Sequence, residues 1–463
     1  MIDVAAARRP RLEVTDALVR IAAAFGLAVF AATLTYFLYR HPPTMLIVFG
    51  FAFVLLGSLA LAIFAYDTAV AVGVILLAAV RFQPAPTDIV FAVLMVVAAV
   101  TGRFTLRRLT AGPLFLVGAF LAFNLVSTID VVDTLRAAQF LGITIYVLIF
   151  GLWLASIITD AAIVRRIARW YVIGAVASAL LATLALFLPF PGHHLFTRIG
   201  RAEGLFKDPN VFGPFLVPAA LILLEEILTP RLFSWRRSTK LLAFLIVTLG
   251  VLFSYSRAAW LNLVAGLAIM LLVYSFRRGA GRSAARALTL VLVACVALGA
   301  VVAFSGSLSF LEQRARVQSY DNGRFGAQSE SIKWAVRHPL GLGPGQFERY
   351  AHISAHSMYA RALAEEGVLG LAALVVLMLA TLYWAGQNAI LGRDTYGIGS
   401  AALLGAWFGA LLNGFFVDTL HWRHLWLLAA LIWAGSARRS WGAPAETRSV
   451  PASEVSPTNP APS

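Results

Sequence analysis

The sequence predicts an all-α, polytopic integral membrane protein. Of its 463 residues, 60% are hydrophobic and only 13% are charged, whereas soluble domains carry roughly a quarter charged residues. The mean hydropathy is +0.82, so too few polar groups remain to cover a surface in water. Only helices or closed β-barrels satisfy their backbone hydrogen bonds in lipid, and barrel strands alternate apolar with polar residues. The apolar runs of this chain are continuous instead, which favours helices.

Fourteen apolar runs are long enough to cross, or to enter, the roughly 30 Å of hydrocarbon in a bilayer. The third and fourth runs are short and could pair as one re-entrant unit, so we expect about 12–14 transmembrane helices. Arg8, Arg9 and Arg11 precede the first run and a second run follows at once, so the first is expected to be a retained helix. The runs lie at 18–39, 44–65, 68–80, 87–101, 112–127, 137–158, 170–189, 211–229, 241–255, 258–275, 286–304, 363–384, 397–415 and 421–436.

The basic residues indicate membrane topology and not nucleic-acid binding, although the formal net charge is +15. With the N-terminus in the cytoplasm, the basic segments at 102–110, 160–170, 230–240 and 277–286 are cytoplasmic too. Most short turns on the opposite side carry a single basic residue. This distribution follows the positive-inside rule along the whole chain.

Two segments on the predicted periplasmic side carry more positive charge than this rule favours, so we expect the charge to have a local use. They are 190–210 and the long loop 305–362. In the first, Arg201 and Lys207 precede an apolar helix that Asp208 or Asn210 can cap. The free N–H groups at such a helix start attract anions, and the two basic side chains add full charges beside them.

Three further residues fall on the same predicted side. Arg257 lies where one apolar run ends and the next begins, and a guanidinium at such a boundary suits bidentate binding of phosphate oxygens. In the long loop, Arg324 opens a stretch with helical spacing, and His356 follows a tight Gly/Pro turn in GLGPGQF. For each residue singly, the alternative is an interfacial anchor or a structural role. Together with Arg201, they would suit a diphosphate and a hydroxyl to be deprotonated.

A metal site is the alternative interpretation of the loop. Glu348, His352 and His356 are spaced i, i+4, i+8 and would share one face of a helix, as metal ligands often do. Pro and Gly lie just upstream, Ser354 interrupts the stretch and there is no HExxH motif. The lone Cys295 excludes an intrachain disulfide and a cysteine-based metal site. We therefore expect neither a metal nor another cofactor.

At these residues the sequence resembles the O-antigen ligase and polymerase superfamily of bacterial envelope glycosyltransferases. The resemblance covers roughly residues 190–375, and Ser357 is a departure, because the family often has Asn after the His. The matching pieces are Arg201-x-x-Gly204 with Pro209-Asn210, Ser256-Arg257-Ala258, the stretch from Arg324 through Trp334, Pro339 and Gly341-x-Gly343 to Ala355-His356, and Glu366-Gly367 with Gly370.

The resemblance implies transfer of a glycan from undecaprenyl diphosphate to an acceptor hydroxyl, that of lipid A-core in a ligase. The reaction would take place at the periplasmic face of the bacterial inner membrane, without a metal ion and with inversion at the anomeric carbon. Arg201 and Arg257 would hold the diphosphate and stabilise the leaving group, and His356 would orient or deprotonate the hydroxyl. Arg324 and Arg337 would help to bind the donor phosphates or the acceptor.

The expected organisation is a cytoplasmic N-terminus (1–17), a transmembrane glycosyltransferase domain (18–436) with its ligase-like core at 190–375, and a disordered cytoplasmic tail (437–463). Alternatives in the superfamily are an O-antigen or exopolysaccharide polymerase and a protein O-oligosaccharyltransferase. The alternative from another class is a polysaccharide or lipid transporter, which would place its charged residues near the bilayer midplane. The charged and polar candidates here lie at one face, which favours an interfacial enzyme.

The predicted topology can be tested by cysteine-accessibility labelling. A cysteine at Ser319, in the long loop, should react with a membrane-impermeant reagent applied from the periplasm. A cysteine at Ser238, in the basic segment 230–240, should react only from the cytoplasm. Equal labelling of the two positions from one side would contradict both the topology and the convergence of the candidate residues on one face.

Overall fold

The protein is described by a computed structural model over residues 45–81, 84–276, 281–316 and 319–440. Over these ranges the chain forms seventeen α-helices and one two-stranded antiparallel hairpin, Thr197–Arg198 (β1) with Arg201–Ala202 (β2). The helices are Met45–Phe64 (α1), Tyr66–Ile75 (α2), Pro86–Val100 (α3), Ala111–Val126 (α4), Thr134–Ile157 (α5), Ala161–Phe187 (α6), Pro209–Leu228 (α7), Arg237–Phe253 (α8), Arg257–Phe276 (α9), Gly281–Phe304 (α10), Leu308–Ala315 (α11), Ser319–Arg337 (α12), Phe347–Ala351 (α13), Met358–Glu365 (α14), Gly367–Ile390 (α15), Ser400–Asn413 (α16) and Arg423–Ser440 (α17).

The prediction of an all-α polytopic membrane protein is confirmed. Within the described residues, six helices are long and apolar enough to cross a membrane, namely α5, α6, α7, α9, α10 and α15. Five shorter apolar segments lie in α1, α2, α3, α4 and α16. A helix is present at each predicted run from 44–65 onwards. The first run, 18–39, the N-terminal segment 1–17 and residues 441–463 of the predicted tail lie outside the described residues.

Two helix boundaries differ from the sequence interpretation, and both differences have a local cause. Helix α6 begins at Ala161 and not near 170, because Asp160 caps it by accepting the N–H groups of Ala162 (2.7 Å) and Ile163 (3.0 Å). The predicted run at 363–384 is divided, because α14 ends at Glu365 and Gly367 adopts a left-handed φ of +73°.

Helices α9 and α16 pack with their backbones in contact through glycines. A Cβ atom at Gly405 would lie 2.5 Å from the carbonyl oxygen of Gly266, and one at Gly409 would lie 2.5 Å from the carbonyl oxygen of Asn262. Small residues allow such close approach between membrane helices, whose association depends on packing and not on exclusion of water. This contact, together with the fully buried Trp407, fixes the position of α16, whose C-terminal end supports the candidate site.

We predict that Gly405→Leu destabilises the protein, because its side chain must displace the backbone of α9. Overpacking of this kind typically costs about 1–3 kcal/mol. The matched control is Gly386→Leu in α15, where an added Cβ would meet nothing within 4 Å. Thermal unfolding followed in detergent should show a lower Tm for Gly405→Leu alone, and equal Tm values for the two variants would contradict the close packing.

Candidate active site

The β1–β2 hairpin places Arg201 against the start of α7. The Arg201 Nε donates to the carbonyl oxygen of Ser254 at 2.8 Å, and its Nη2 donates to Asn210 Oδ1 at 3.0 Å. The turn between the two strands is tight, with left-handed conformations at Ile199 and Gly200. Two residues that were predicted separately, Arg201 and Asn210, therefore lie in direct contact.

The N-terminus of α7 has the capped form expected from the sequence. Asp208 is the N-cap and accepts the N–H of Asn210 at 2.7 Å, and Pro209 occupies the first helical position. Lys207, just before the cap, is exposed. Its carbonyl oxygen accepts a hydrogen bond from Arg198 Nη1 at 2.7 Å. Arg198 thus adds a basic side chain beside Lys207 that the sequence analysis did not single out.

Arg257 is the first residue of α9, three residues after the carbonyl that binds Arg201. Its Nη1 donates to the carbonyl oxygen of Arg316 at 3.2 Å. The turn before it contains Tyr255, which is buried, has a φ of +48° and packs edge-on against Phe310 at 4.6 Å between ring centroids. The α8–α9 turn therefore brings the Arg201 and Arg257 side chains to one region, with the segment around α11 beside it.

His356 lies in a short loop between α13 and α14 and has a left-handed φ of +49°. The next two residues fix it to the end of α16. Ser357 Oγ donates to the carbonyl oxygen of Gly414 at 3.2 Å and caps α14 by accepting the N–H of Ala360 at 3.3 Å. The backbone N–H of Met358 donates to the same Gly414 oxygen at 2.9 Å. A non-glycine residue in this conformation is held there by its surroundings.

The His356 imidazole is tuned towards its neutral form. Burial lowers its pKa from the ordinary value of 6.5, the positive charge of Arg324 lowers it further, and the carboxylate of Asp208 opposes the shift. The charges of Arg324 in α12 and Asp208 at the start of α7 therefore shift the His356 pKa in opposite directions. A neutral imidazole at pH 7 is able to accept a proton.

Arg361 holds this loop in place, and the sequence analysis counted it only as part of the excess positive charge. The residue is 4% exposed. It forms ion pairs with Glu348 (2.9 Å), Glu365 (3.2 Å) and Asp418 (2.7 Å). Glu348 precedes His356 and Arg361 follows it, so this ion pair closes the loop that carries His356. Of these three ion pairs, the sequence indicates only the one with Glu365, through the i, i+4 spacing of the two residues.

The Gly/Pro turn after α12 is bound to the same carboxylate. The two oxygens of Glu365 accept the N–H groups of Gly345 (2.7 Å) and Phe347 (3.2 Å). Gly341 has a φ of +94°, and a Cβ there would lie 2.2 Å from the carbonyl oxygen of Glu365. The tight turn that the sequence predicts in GLGPGQF is consistent with this geometry, in which the N–H groups of Gly345 and Phe347 bind Glu365.

Comparison with models of known protein families matches residues 242–375 to the family described as O-antigen ligase. This segment is similar to that family. The match contains Arg257, Arg324 and His356, and the resemblance found in the sequence is confirmed. The family supports a glycosyltransferase-like membrane enzyme that acts on a lipid-linked glycan and an acceptor. The search of curated proteins finds no match to the chain.

Among the candidates in the matched segment, Arg337 lies apart from the others. Helix α12 contains the predicted helical stretch, with Arg324 near its start and Arg337 as its last residue. Thirteen residues of helix separate the two by about 20 Å. Arg337 is exposed and its guanidinium lies over the Trp334 ring, 5.6 Å from the centroid. Arg337 is therefore not brought together with Arg324 and His356.

The metal alternative required Glu348, His352 and His356 to share a helical face. Helix α13 ends at Ala351, and His352 follows it in a left-handed conformation with a φ of +55°. The helix therefore does not reach either histidine. Glu348 is already paired with Arg136 and Arg361. Among the residues that the structure describes, no group of three His, Cys, Asp or Glu side chains has the arrangement of a metal site.

We predict that Arg324→Gln shifts the acid limb of the pH–rate profile. Because the His356 pKa lies below 6.5, the rate of glycan transfer should fall only as the pH drops through that lowered value, where the imidazole becomes protonated. Removing the Arg324 charge removes one cause of the lowering, so the midpoint in kcat/KM should move to higher pH. Arg337→Gln, at the far end of α12, should leave the midpoint in place. An acid limb that stays unchanged in Arg324→Gln would contradict the effect of the Arg324 charge on the pKa of His356.

Proposed function

We propose that the protein is an O-antigen ligase that transfers a glycan from undecaprenyl diphosphate to a hydroxyl of lipid A-core. The transfer takes place at the periplasmic face of the bacterial inner membrane, without a metal ion and with inversion. The observation that carries the proposal is the hydrogen bond between Arg201 and the Ser254 carbonyl. It links the capped start of α7, which Arg201 contacts through Asn210, to the turn that leads into Arg257.

The donor diphosphate is held by Arg201 and Arg257. A guanidinium offers a planar fork of N–H donors that matches two phosphate oxygens. The N-terminus of α7 adds its dipole, and Lys207 and Arg198 add charge at the rim. As the glycosidic bond breaks, negative charge grows on the diphosphate leaving group. Fixed cationic donors stabilise that charge without reorganisation, which is the role that a metal ion has in other transferases.

His356 acts as the general base. Its neutral imidazole accepts the proton of the acceptor hydroxyl while the hydroxyl oxygen attacks the anomeric carbon. The new glycosidic bond forms on the face opposite the leaving group, the bond to the diphosphate oxygen breaks, and the electron pair leaves with undecaprenyl diphosphate. Burial and the nearby charge of Arg324 lower the pKa of the imidazole and favour its neutral form at pH 7, and we assign Arg324 to binding of the donor or the acceptor. Arg337, about 20 Å from Arg324 along α12, lies too far away to take part in this step.

The polar residues at the other end of α7 support an enzyme over a carrier. Glu226 pairs with Lys240 at 2.8 Å, with both side chains 3% exposed, and accepts the N–H groups of Leu232 (2.8 Å) and Phe233 (3.2 Å). A buried charge that is paired and hydrogen-bonded in this way serves the fold. A transporter would instead need a charged binding site near the middle of the membrane.

The domain organisation proposed with this function is a cytoplasmic segment (1–17), a transmembrane glycosyltransferase domain (18–436) with its ligase-like core at 190–375, and a cytoplasmic tail (437–463). The acceptor distinguishes the ligase from a polymerase or a protein O-oligosaccharyltransferase. Deletion of the gene should remove long-chain lipopolysaccharide, with accumulation of the lipid-linked glycan. Loss of a secreted polysaccharide or of glycoproteins alone would assign one of the other two activities.

We predict that His356→Ala lowers the transfer rate by about 10²–10⁴-fold, as expected for loss of a general base, while donor binding stays close to normal. Arg257→Lys keeps the charge but loses the bidentate fork, so it should also be strongly impaired. Arg201→Ala should weaken both donor binding and turnover. The control is Arg236→Ala, an exposed residue at the start of α8, which should retain the wild-type rate.

The assay uses purified donor and acceptor with the protein in nanodiscs, and size-exclusion chromatography checks the fold of each variant. Wild-type transfer should continue in EDTA. A well-folded His356→Ala protein with a near-wild-type rate would end the assignment of His356 as the base. Loss of turnover in EDTA that zinc restores would end the metal-independent mechanism.

A further inference from the structure

Helix α12 presents three chemically different faces. Its buried face consists of small residues, with Ala327, Ser331 and Ala335 all 4% exposed or less, and it packs against the protein. The other two faces are exposed, and they differ sharply in polarity. Charged residues within the helix make it unsuitable as a membrane span, so its exposed apolar face requires another explanation.

The first exposed face is an apolar stripe of Phe325, Ile332 and Val336, which are 56%, 59% and 76% exposed. At 3.6 residues per turn these three positions fall within an arc of about 40°. The second exposed face carries Lys333 and Arg337, at about 100–140° from Ile332 by the same spacing. One side of the exposed surface is therefore apolar and the other is basic.

The attachments of α12 place it at the level where the apolar helices end. Near its middle, Gln328 Nε2 donates to the carbonyl oxygen of Phe415 at 3.1 Å, two residues after the end of α16. Phe415 is itself 53% exposed. This contact holds the N-terminal half of α12 beside the rim of the helix bundle.

The C-terminal end of α12 is also fixed at a place where apolar helices end. The turn that follows it reaches the connection between α4 and α5. There Gln346 and the backbone of Asp133 exchange two hydrogen bonds, at 3.0 and 3.1 Å, and Arg136 Nε donates to the carbonyl oxygen of Gly345 at 2.6 Å. Because both attachments lie at the ends of apolar helices, α12 runs along the rim of the bundle.

We propose that α12 is an interfacial helix that lies in the membrane leaflet on the His356 side. Phe325, Ile332 and Val336 insert at the boundary of the acyl chains, and Lys333 and Arg337 contact lipid phosphates. An amphipathic helix with basic residues beside an apolar stripe has the composition of helices that bind in the plane of the interface. The proposal goes beyond the transfer reaction and does not rest on it.

A second copy of the chain is a poor occupant of this stripe. Three exposed side chains offer on the order of a few hundred Å², whereas stable protein interfaces bury about 1,200–2,000 Å² in total. A bilayer, by contrast, is continuous with the lipid-facing surfaces of the neighbouring spans. The same helix carries Arg324, so its depth in the leaflet sets the height of that charge beside His356.

Spin-label accessibility in the full-length protein tests the proposal. Cys295, the single cysteine, is replaced by serine, and nitroxides are attached at Phe325→Cys, Ile332→Cys and Val336→Cys. Ser329→Cys lies on the same side of the helix and keeps all three apolar side chains. Glu330→Cys and Lys333→Cys are the matched controls on the charged side. The protein is reconstituted in vesicles of phosphatidylethanolamine and phosphatidylglycerol at three to one.

At the apolar positions and at Ser329→Cys, the nitroxide should collide more often with oxygen, which concentrates in lipid, than with a water-soluble nickel chelate. At Glu330→Cys and Lys333→Cys, collisions with the nickel chelate should be the more frequent. Equal nickel accessibility on both faces would overturn the proposal. Spin–spin broadening that survives dilution in lipid would assign the stripe to a second copy instead. Protection from nickel that appears only after a lipid-linked substrate is added would assign it to the substrate chain.

Discussion

The candidate site depends on the ion pairs of the buried Arg361 guanidinium. A charge removed from water must be paired and hydrogen-bonded, and here the partners come from three places: Glu348 in α13, Glu365 in α14 and Asp418 after α16. Satisfying one cation therefore brings three separate segments together. Loss of the arginine would leave the buried carboxylate of Glu365 without its counter-charge, which is more costly than loss of the ion pair alone.

The ion pairs of Arg361 help to position both α12 and His356. Glu365 also accepts the N–H groups of the glycine-rich turn after α12, so the orientation of α12 is linked to the same cluster. The loop closed by Glu348 and Arg361 carries His356, which the bonds of Ser357 and Met358 fix to Gly414. The histidine is thus positioned by backbone contacts and buried charge, while its ring remains half-buried.

The bundle supplies a rigid support for this rim because its helices pack through small residues. The contact between α9 and α16 at Gly266 and Gly405 brings the start of α9, with Arg257, into a fixed relation with the end of α16. In the same way, the start of α7 is fixed to the α8–α9 turn through Arg201 and the Ser254 carbonyl. The apolar interior thereby determines the geometry of the polar groups at its edge.

The sequence predicted the helices well, because a membrane requires long apolar runs and these are visible without any tertiary information. The charge distribution also predicts that Arg201, Arg257, Arg324 and His356 face the same side of the membrane, since it encodes topology. Arg337 shows the limit of prediction from sequence. Its side chain is as basic as that of Arg324, but their positions along α12 place the two about 20 Å apart. Arg361 was missed because its partners Glu348 and Asp418 are distant in sequence, and nothing local indicates such a contact.

A structure of the protein in nanodiscs with bound undecaprenyl diphosphate would locate the donor site. We predict the diphosphate within hydrogen-bonding distance of Arg201 and Arg257, at the N-terminus of α7, with the His356 ring facing the position of the missing sugar. Diphosphate bound instead at Arg337, or at the arginines of the opposite face around Arg231 and Arg236, would contradict it.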